Sequence, residues 1–209
     1  MASAHHRDRV GRCPSCSACE RTMPRRSWDA ARKLEAGGAD LLLMCTNTMH
    51  RVADQVTEAV TIPLLHLADV TAQAVIQAGL RSVGLLGTAY TMEHGFYRDR
   101  LAGHGLTVLV PPPADRAEIH RIIYDELCPG QTREESRQVY RDVILRLCEA
   151  GAHGIVLGRT EIELLISAPD SPVPVFATTR LHVEAAVDAS LTAVNGTAAR
   201  PPDIADRGQ

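Results

Sequence analysis

The sequence predicts an α/β protein made of parallel strand–helix–strand units. Three observations carry that expectation. Short apolar runs alternate with longer segments of helical periodicity from Ser27 onward. The runs are continuously apolar, as buried parallel strands are, rather than polar at every second residue. Several helical segments open on Asp or close on Gly, the residues that favour helix ends.

In chain order, Trp28 to Ala36 reads as an amphipathic helix end closed by Gly37-Gly38. Ala39 to Cys45 (ADLLLMC) is the first strand, His50 to Val60 a helix and Ile62 to Leu67 a second short strand. Asp69 opens a helix ending at Gly79, with Asp as N-cap and Gly after the last turn. Ser82 to Leu86 is a strand running into Gly87-Thr88, followed by a helix from about Thr91 to Gly103 and the strand Leu106 to Val110. After Pro111-Pro112-Pro113 come helices over Ala114 to Leu127 and Thr132 to Ala150. In the second of these, Val139, Val143 and Leu147, with Tyr140 and Ile144, recur at helical spacing. Gly154 to Gly158 and Val173 to Phe176 are strands, and Leu181 to Val194 is the last helix. The tail after Gly196 is rich in Pro, Asp and Arg and is expected to be disordered.

Composition narrows the functions available. The 209 residues are 45% hydrophobic, enough for one sizeable domain or two small ones, with a core of aliphatic residues because aromatics are only 3%. A net charge of -3 with scattered Lys and Arg argues against nucleic acid as a partner. No run approaches the roughly 18 apolar residues of a membrane span, and Met1 to Arg12 lacks the apolar stretch of a secretory signal. The default expectation is a cytoplasmic protein without a membrane partner. In that compartment the six cysteines, Cys13, Cys16, Cys19, Cys45, Cys128 and Cys148, read as free thiols, ligands or nucleophiles.

In parallel sheets chemistry gathers at the carboxyl ends of the strands. The residues to weigh first are therefore Cys45 to Thr48, Thr88 to Thr91, Arg159 to Glu161 and Thr178-Thr179. Cys45 closes an apolar strand and precedes an expected helix start, where free N–H groups favour a thiolate. The amides and hydroxyls of Thr46, Asn47 and Thr48 suit a substrate carboxylate, and Thr88 and Thr91 offer a comparable donor set. The alternative for Cys45 is a buried structural cysteine under a polar cap.

Those same positions carry a resemblance. Cys45-Thr46-Asn47-Thr48-Met49-His50 is similar to the first-cysteine motif of the aspartate/glutamate racemase superfamily. Gly158-Arg159-Thr160-Glu161-Ile162 resembles its second motif, normally Gly-Cys-Thr-Glu. Leu86-Gly87-Thr88 with Thr91-Met92-Glu93, and Phe176 to His182, are similar to further segments of the microbial aspartate racemase branch, so that the resemblance runs from about Trp28 to Leu191.

The resemblance implies two similar parallel-sheet α/β sandwich halves with the active site between them. It implies cofactor-independent chemistry on a small amino acid or dicarboxylate, and a homodimer. A thiolate removes the α-proton on one face and a thiol returns one on the other. Cys45 is then catalytic, Arg159 occupies the second-cysteine position, and Thr46, Asn47, Thr48, Thr88, Thr91, Thr160, Glu161 and His182 bind substrate. A guanidinium is not deprotonated in proteins, so Arg159 cannot serve as the second base. Racemisation is then impaired. Arg159 either clamps an anionic substrate or is a degenerate position with its side chain swung to solvent, and an ion pair with Arg159 is the alternative to a substrate role for Glu161.

Two further departures concern the rest of the chain. Ala177 stands where similar proteins carry Asp, and nothing before Trp28 resembles the Gly-rich first strand and turn of the family. The expected organisation is a divergent, disordered tail over 1–27, whose composition fits a shifted reading frame or a misplaced start, then an incomplete first half (28–72 plus 180–209) and a second half (73–179). Cys13-x-x-Cys16-x-x-Cys19 with His5 or His6 invites a metal reading but has no nearby fourth cysteine, and no metal is expected. His50 and His182 border the motifs, and a plain structural role is the alternative for each. Two other functions stay open: a single-thiol decarboxylase or isomerase of the same superfamily, and a non-catalytic dicarboxylate-binding relic.

Overall fold

A computed structural model of the chain describes residues 17–194, with side chains from 27 to 192. Cys13, Cys16, His5, His6 and the tail after Gly196 lie outside the described residues, as does the side chain of Cys19. The chain divides into two compact units, one ending at Met44 and resuming over Met49–His66, the other comprising Cys45–Thr48 and everything from Leu67 onward.

The first unit contains helix α1 (Ser17–Ala36), strand β1 (Leu42–Leu43), most of a 3₁₀ turn (Thr48–Val52), helix α2 (Ala53–Ala59) and strand β2 (Leu64–Leu65). Its core is small: Ala31, Leu42, Val52 and Val56, flanked by Met44, Met49, Val60, Ile62 and Leu64. Glu35 ties the end of α1 to the loop before β2 by accepting from the Thr61 amide at 2.7 Å, the Thr61 hydroxyl at 2.6 Å and the Ile62 amide at 3.2 Å.

The strands expected over Ala39 to Cys45 and Ile62 to Leu67 shrink to two residues each, pairing in parallel as Leu42↔Leu64 and Leu43↔Leu65. Pro63 accepts from the Leu42 amide at 2.9 Å but has no N–H to return, so the ladder cannot extend past it. The helix expected over His50 to Val60 opens as the 3₁₀ turn. The helix expected to end at Ala36 begins at Ser17 rather than Trp28, inside the segment expected to be disordered.

The second unit is a four-stranded, all-parallel sheet in the order β4-β3-β5-β6. Its strands are β3 (Ser82–Leu86), β4 (Thr107–Leu109), β5 (Ile155–Leu157) and β6 (Val175–Ala177). The helices are α3 (Leu67–Gln77), α4 (Ala89–Glu93), α5 (Gly95–Gly103), α6 (Pro113–Ile122), α7 (Glu134–Glu149) and α8 (Thr178–Val194). The parallel α/β class read from the sequence is the observed one.

Side chains alternate across the pleat. Leu86, Ile155 and Leu157 face a core with Ile119, Ile122, Tyr140, Val143, Ile144 and Leu147 from α6 and α7. Val83, Leu85 and Val156 face the opposite core with Leu67, Ala72, Val75, Tyr97 and Leu101 from α3 and α5, and α8 packs on α3.

Several boundaries differ from those the sequence predicts. The helix expected over Thr91 to Gly103 is two helices, parted where His94 turns extended at ψ 144°. Helix α6 ends in a π turn over Ile123–Leu127, closed by the Cys128 amide on the Ile123 carbonyl at 2.8 Å. The last helix starts at Thr178, ahead of Leu181. Gly79 does end α3 as expected, at φ +76°, with the Leu80 amide reaching back to the Val75 carbonyl at 3.1 Å.

Candidate active site

The pairings Leu86↔Leu157 and Leu157↔Ala177 bring the carboxyl ends of β3, β5 and β6 side by side. Gly158 lets the turn after β5 lie against β3. A side chain there would meet the Leu86 carbonyl at 3.0 Å, and its own amide donates to that carbonyl at 2.7 Å.

After β3, Thr88 caps α4 by accepting from the Thr91 amide at 3.3 Å, and the two hydroxyls sit 3.2 Å apart. Both threonines are fully buried. After β6, the Thr178 hydroxyl donates to the Leu157 carbonyl at 2.7 Å. The Thr179 amide donates to Glu163 at 3.0 Å and its hydroxyl to that of exposed Thr160 at 3.3 Å. His182 is buried in α8.

The turn after β5 carries a charge cluster. Arg159 donates to Glu161 twice, from Nε to Oε2 at 2.9 Å and from Nη2 to Oε1 at 3.1 Å. Its guanidinium carbon stands 5.6 Å from the centre of the Tyr124 ring. Burial works against the charge on Arg159, but the Glu161 carboxylate outweighs it and holds the guanidinium more firmly protonated than usual. The forked bond from Arg159 holds the Glu161 carboxyl below the ordinary carboxylate range, against the opposing effect of burial. The ion pair expected as the alternative for Glu161 is present, and Arg159 is partly buried on it rather than swung to solvent.

A thiol joins this pair. Cys128, exposed at the end of the π turn, lies 3.6 Å from Glu161 Oε1 and 3.9 Å from Arg159 Nη2. Partial burial and Glu161 push the Cys128 thiol up, while Arg159 pulls it the other way. Sequence reading assigned Cys128 no role, because the contact spans 33 residues and depends on the π turn.

The first motif is built differently. Cys45 follows β1 as an exposed free thiol, Thr46 is exposed, and Thr48 opens the 3₁₀ turn. Asn47 is buried, and its Oδ1 has no hydrogen-bond partner. The segment Cys45–Thr48 belongs to the compact unit that holds the second motif. His50 is buried in the other unit, edge-on to His66 with ring centres 4.6 Å apart. Among the described residues no group of three or more His, Cys, Asp or Glu side chains could hold a metal ion, and no helix is long and apolar enough to cross a membrane.

The fold and this strand-end arrangement define a parallel α/β protein with polar side chains gathered at the carboxyl ends of its strands. Residues 12–186 match the model of the Asp/Glu/Hydantoin racemase family, and the chain belongs to that family. The match begins ahead of Trp28, where sequence reading found no likeness. A crystal structure of a candidate Asp/Glu racemase from Yersinia pestis is 46% identical, with a TM-score of 0.82, covering 88% of this chain and 80% of that one. An aspartate racemase homologue from Pyrococcus horikoshii OT3 is 29% identical at a TM-score of 0.76, covering 90% and 81%. The broad specificity amino-acid racemase RacX of Bacillus subtilis is 31% identical over 81 residues, a segment spanning 39% of this chain and 35% of that relative.

Proposed function

We propose that the chain is a cofactor-independent amino-acid racemase of the aspartate/glutamate type, with Cys45 as its base and its racemisation slowed by Arg159. The observation that carries this reading is the exposed Cys45 thiol, separated from a parallel strand only by Met44 and followed by Thr46, buried Asn47 and Thr48. In this reading the Cys45 thiolate removes the α-proton of an acidic amino acid. The hydroxyls and amides of Thr46 and Thr48 hold the substrate carboxylate, and the unpaired Asn47 Oδ1 accepts from its ammonium group. Thr88, Thr91, Thr160 and His182 shape the substrate region, with Thr88 and Thr91 acting through each other because their hydroxyls are mutually engaged.

Arg159 cannot abstract a proton, and its Nε and Nη2 both donate to Glu161. Loss of one member of a two-base pair lowers the rate by orders of magnitude. The reading carries with it a homodimer in the cytoplasm.

The test is α-proton exchange of L-aspartate and L-glutamate in heavy water. The parent exchanges, and Cys45→Ser loses at least about 1000-fold of that rate, in line with removal of a catalytic nucleophile or base. Equal exchange in parent and variant would overturn Cys45 as the base. Decarboxylation of an arylmalonate to one enantiomer, without amino-acid exchange, would favour the single-thiol alternative instead.

A further inference from the structure

The turn after β3 depends on residues far along the chain for its position. Helix α4 is only five residues long, too short to be stable alone, so tertiary contacts must hold it. Thr91 rests on two strand ends. A side chain on Gly87 would meet Thr91 Cβ at 3.2 Å, and one on Gly158 would meet Thr91 Cγ2 at 3.5 Å. Helix α6 adds a contact at each end of α4. Arg116 Nε donates to Glu93 Oε1 at 3.2 Å, and the Ala89 amide donates to His120 Nδ1 at 3.2 Å.

First-turn amides of a helix have no acceptor within the helix. Thr88 takes the Thr91 amide, and His120 takes that of Ala89. An imidazole nitrogen that accepts carries no hydrogen, so the ring hydrogen of His120 sits on Nε2. The same ring lies against Tyr124 with centres 4.7 Å apart, and the Arg159 guanidinium stands 5.6 Å from the Tyr124 ring centre. His120 and Tyr124, four residues apart, therefore connect the turn after β3 to the turn after β5. Sequence reading gave His120 no partner, because its contact with Ala89 spans 31 residues.

We propose that His120 is a positioning residue for substrate binding: through Nδ1 it fixes the Thr88–Thr91 turn, and through Tyr124 it sets that turn beside Arg159. This role rests on the reading of Thr88 and Thr91 as part of the substrate region. Both threonines are buried with their hydroxyls engaged on each other, so the placement of the turn decides what a substrate meets there. Loss of the Nδ1 acceptor leaves the part-buried Ala89 amide unpaired and releases the turn. Ground state and transition state lose the same contact, which raises KM and leaves kcat in place.

The experiment measures calorimetric affinity for L-aspartate and L-glutamate, with KM and kcat for their α-proton exchange, in the parent, His120→Asn and His120→Gln. Asn places an oxygen acceptor where Nδ1 stood, whereas Gln carries its amide one bond further out, towards the Nε2 position. His120→Gln is expected to weaken affinity about tenfold, the scale of one lost hydrogen bond, with KM rising to match and kcat little changed. His120→Asn stays within about threefold of the parent throughout. Thermal melts establish that each variant is folded. Nitrogen NMR of the parent imidazole, which needs no variant, is expected to find the His120 hydrogen on Nε2.

Parental affinity in His120→Gln, or equal weakening in both variants, overturns the positioning role and leaves Cys45 untouched. Rescue by Gln and not by Asn overturns it too, since Nε2 would then touch the substrate itself. A hydrogen on Nδ1 of the parent ring does the same. A parent that binds the amino acids without exchanging their α-protons removes Cys45 as the base, while the Asn–Gln difference in affinity still decides His120. A parent that binds neither amino acid ends the substrate role of the Thr88–Thr91 turn, and with it that of His120.

Discussion

The ends of β1 and β5 share a scaffold and differ in chemistry. Each strand is parallel, and each is followed by a five-residue 3₁₀ turn, Thr48–Val52 after β1 and Thr160–Leu164 after β5. After β1 the scaffold presents an exposed thiol and an unpaired buried amide oxygen. After β5 it presents a guanidinium and a carboxylate locked on each other, with a second thiol brought in from a distant turn. The two ends therefore share backbone geometry and differ in the side chains that it presents.

The β5 end carries a buried anchoring network of its own. Asp170, buried in the turn Ala168–Asp170, accepts from Arg141 at 2.7 and 3.0 Å, from Arg137 at 3.2 Å, and from the Ser167 amide at 2.9 Å. Arg137 also donates to the Leu165 carbonyl at the close of the preceding turn.

The largest expected change comes from making the two ends alike. Arg159→Cys should raise racemisation of L-aspartate or L-glutamate by about 100-fold or more, while α-proton exchange rises far less. Racemisation that stays at the parental rate, in a variant that melts like the parent, would mean that the identity of residue 159 does not limit the reaction.

A smaller effect, on stability, tests the anchoring. Asp170→Asn should cost roughly 2–3 kcal/mol in denaturant unfolding, since it leaves Arg137 and Arg141 without their shared buried charge. A loss under about 0.5 kcal/mol would show that the network merely decorates the turn. Burial pushes the Asp170 carboxyl up, but the Ser167 and Arg141 hydrogen bonds outweigh it and hold its pKa below the ordinary value. Its contribution is therefore complete above the unfolded carboxyl pKa near ~4 and disappears as pH falls through the lower folded value. The Asn variant should lack that acid-side decline.

The smallest effect belongs to Tyr140→Phe, which removes an unpaired buried hydroxyl and should change stability by less than about 0.5 kcal/mol. A larger loss in the free protein would mean that a water already satisfies the hydroxyl.

Much of the second unit is legible in the sequence, because local signals and packing agree there. Val83–Leu86 is apolar, buried and lies in the sheet interior, and the 3.6-residue period of Tyr140, Val143, Ile144 and Leu147 marks the buried face of α7. The first unit is less legible. Ala39 to Cys45 is as apolar as any strand in the chain, yet only Leu42–Leu43 pairs, because the partner begins after a proline and each strand has a single neighbour.

The same division applies to the site. By itself the sequence determined that Cys45 and Arg159 each follow a parallel strand closely, since strand and turn residues are contiguous. It also determined that Arg159 cannot act as a base, because that is a property of the guanidinium itself. Only the tertiary structure decided what Arg159 does instead. It pairs with Glu161, and its contacts with Tyr124 and Cys128 arise from a π turn and a strand brought together across 31 or more residues. Hydrogen bonds of that reach depend on packing, and a linear pattern does not encode them.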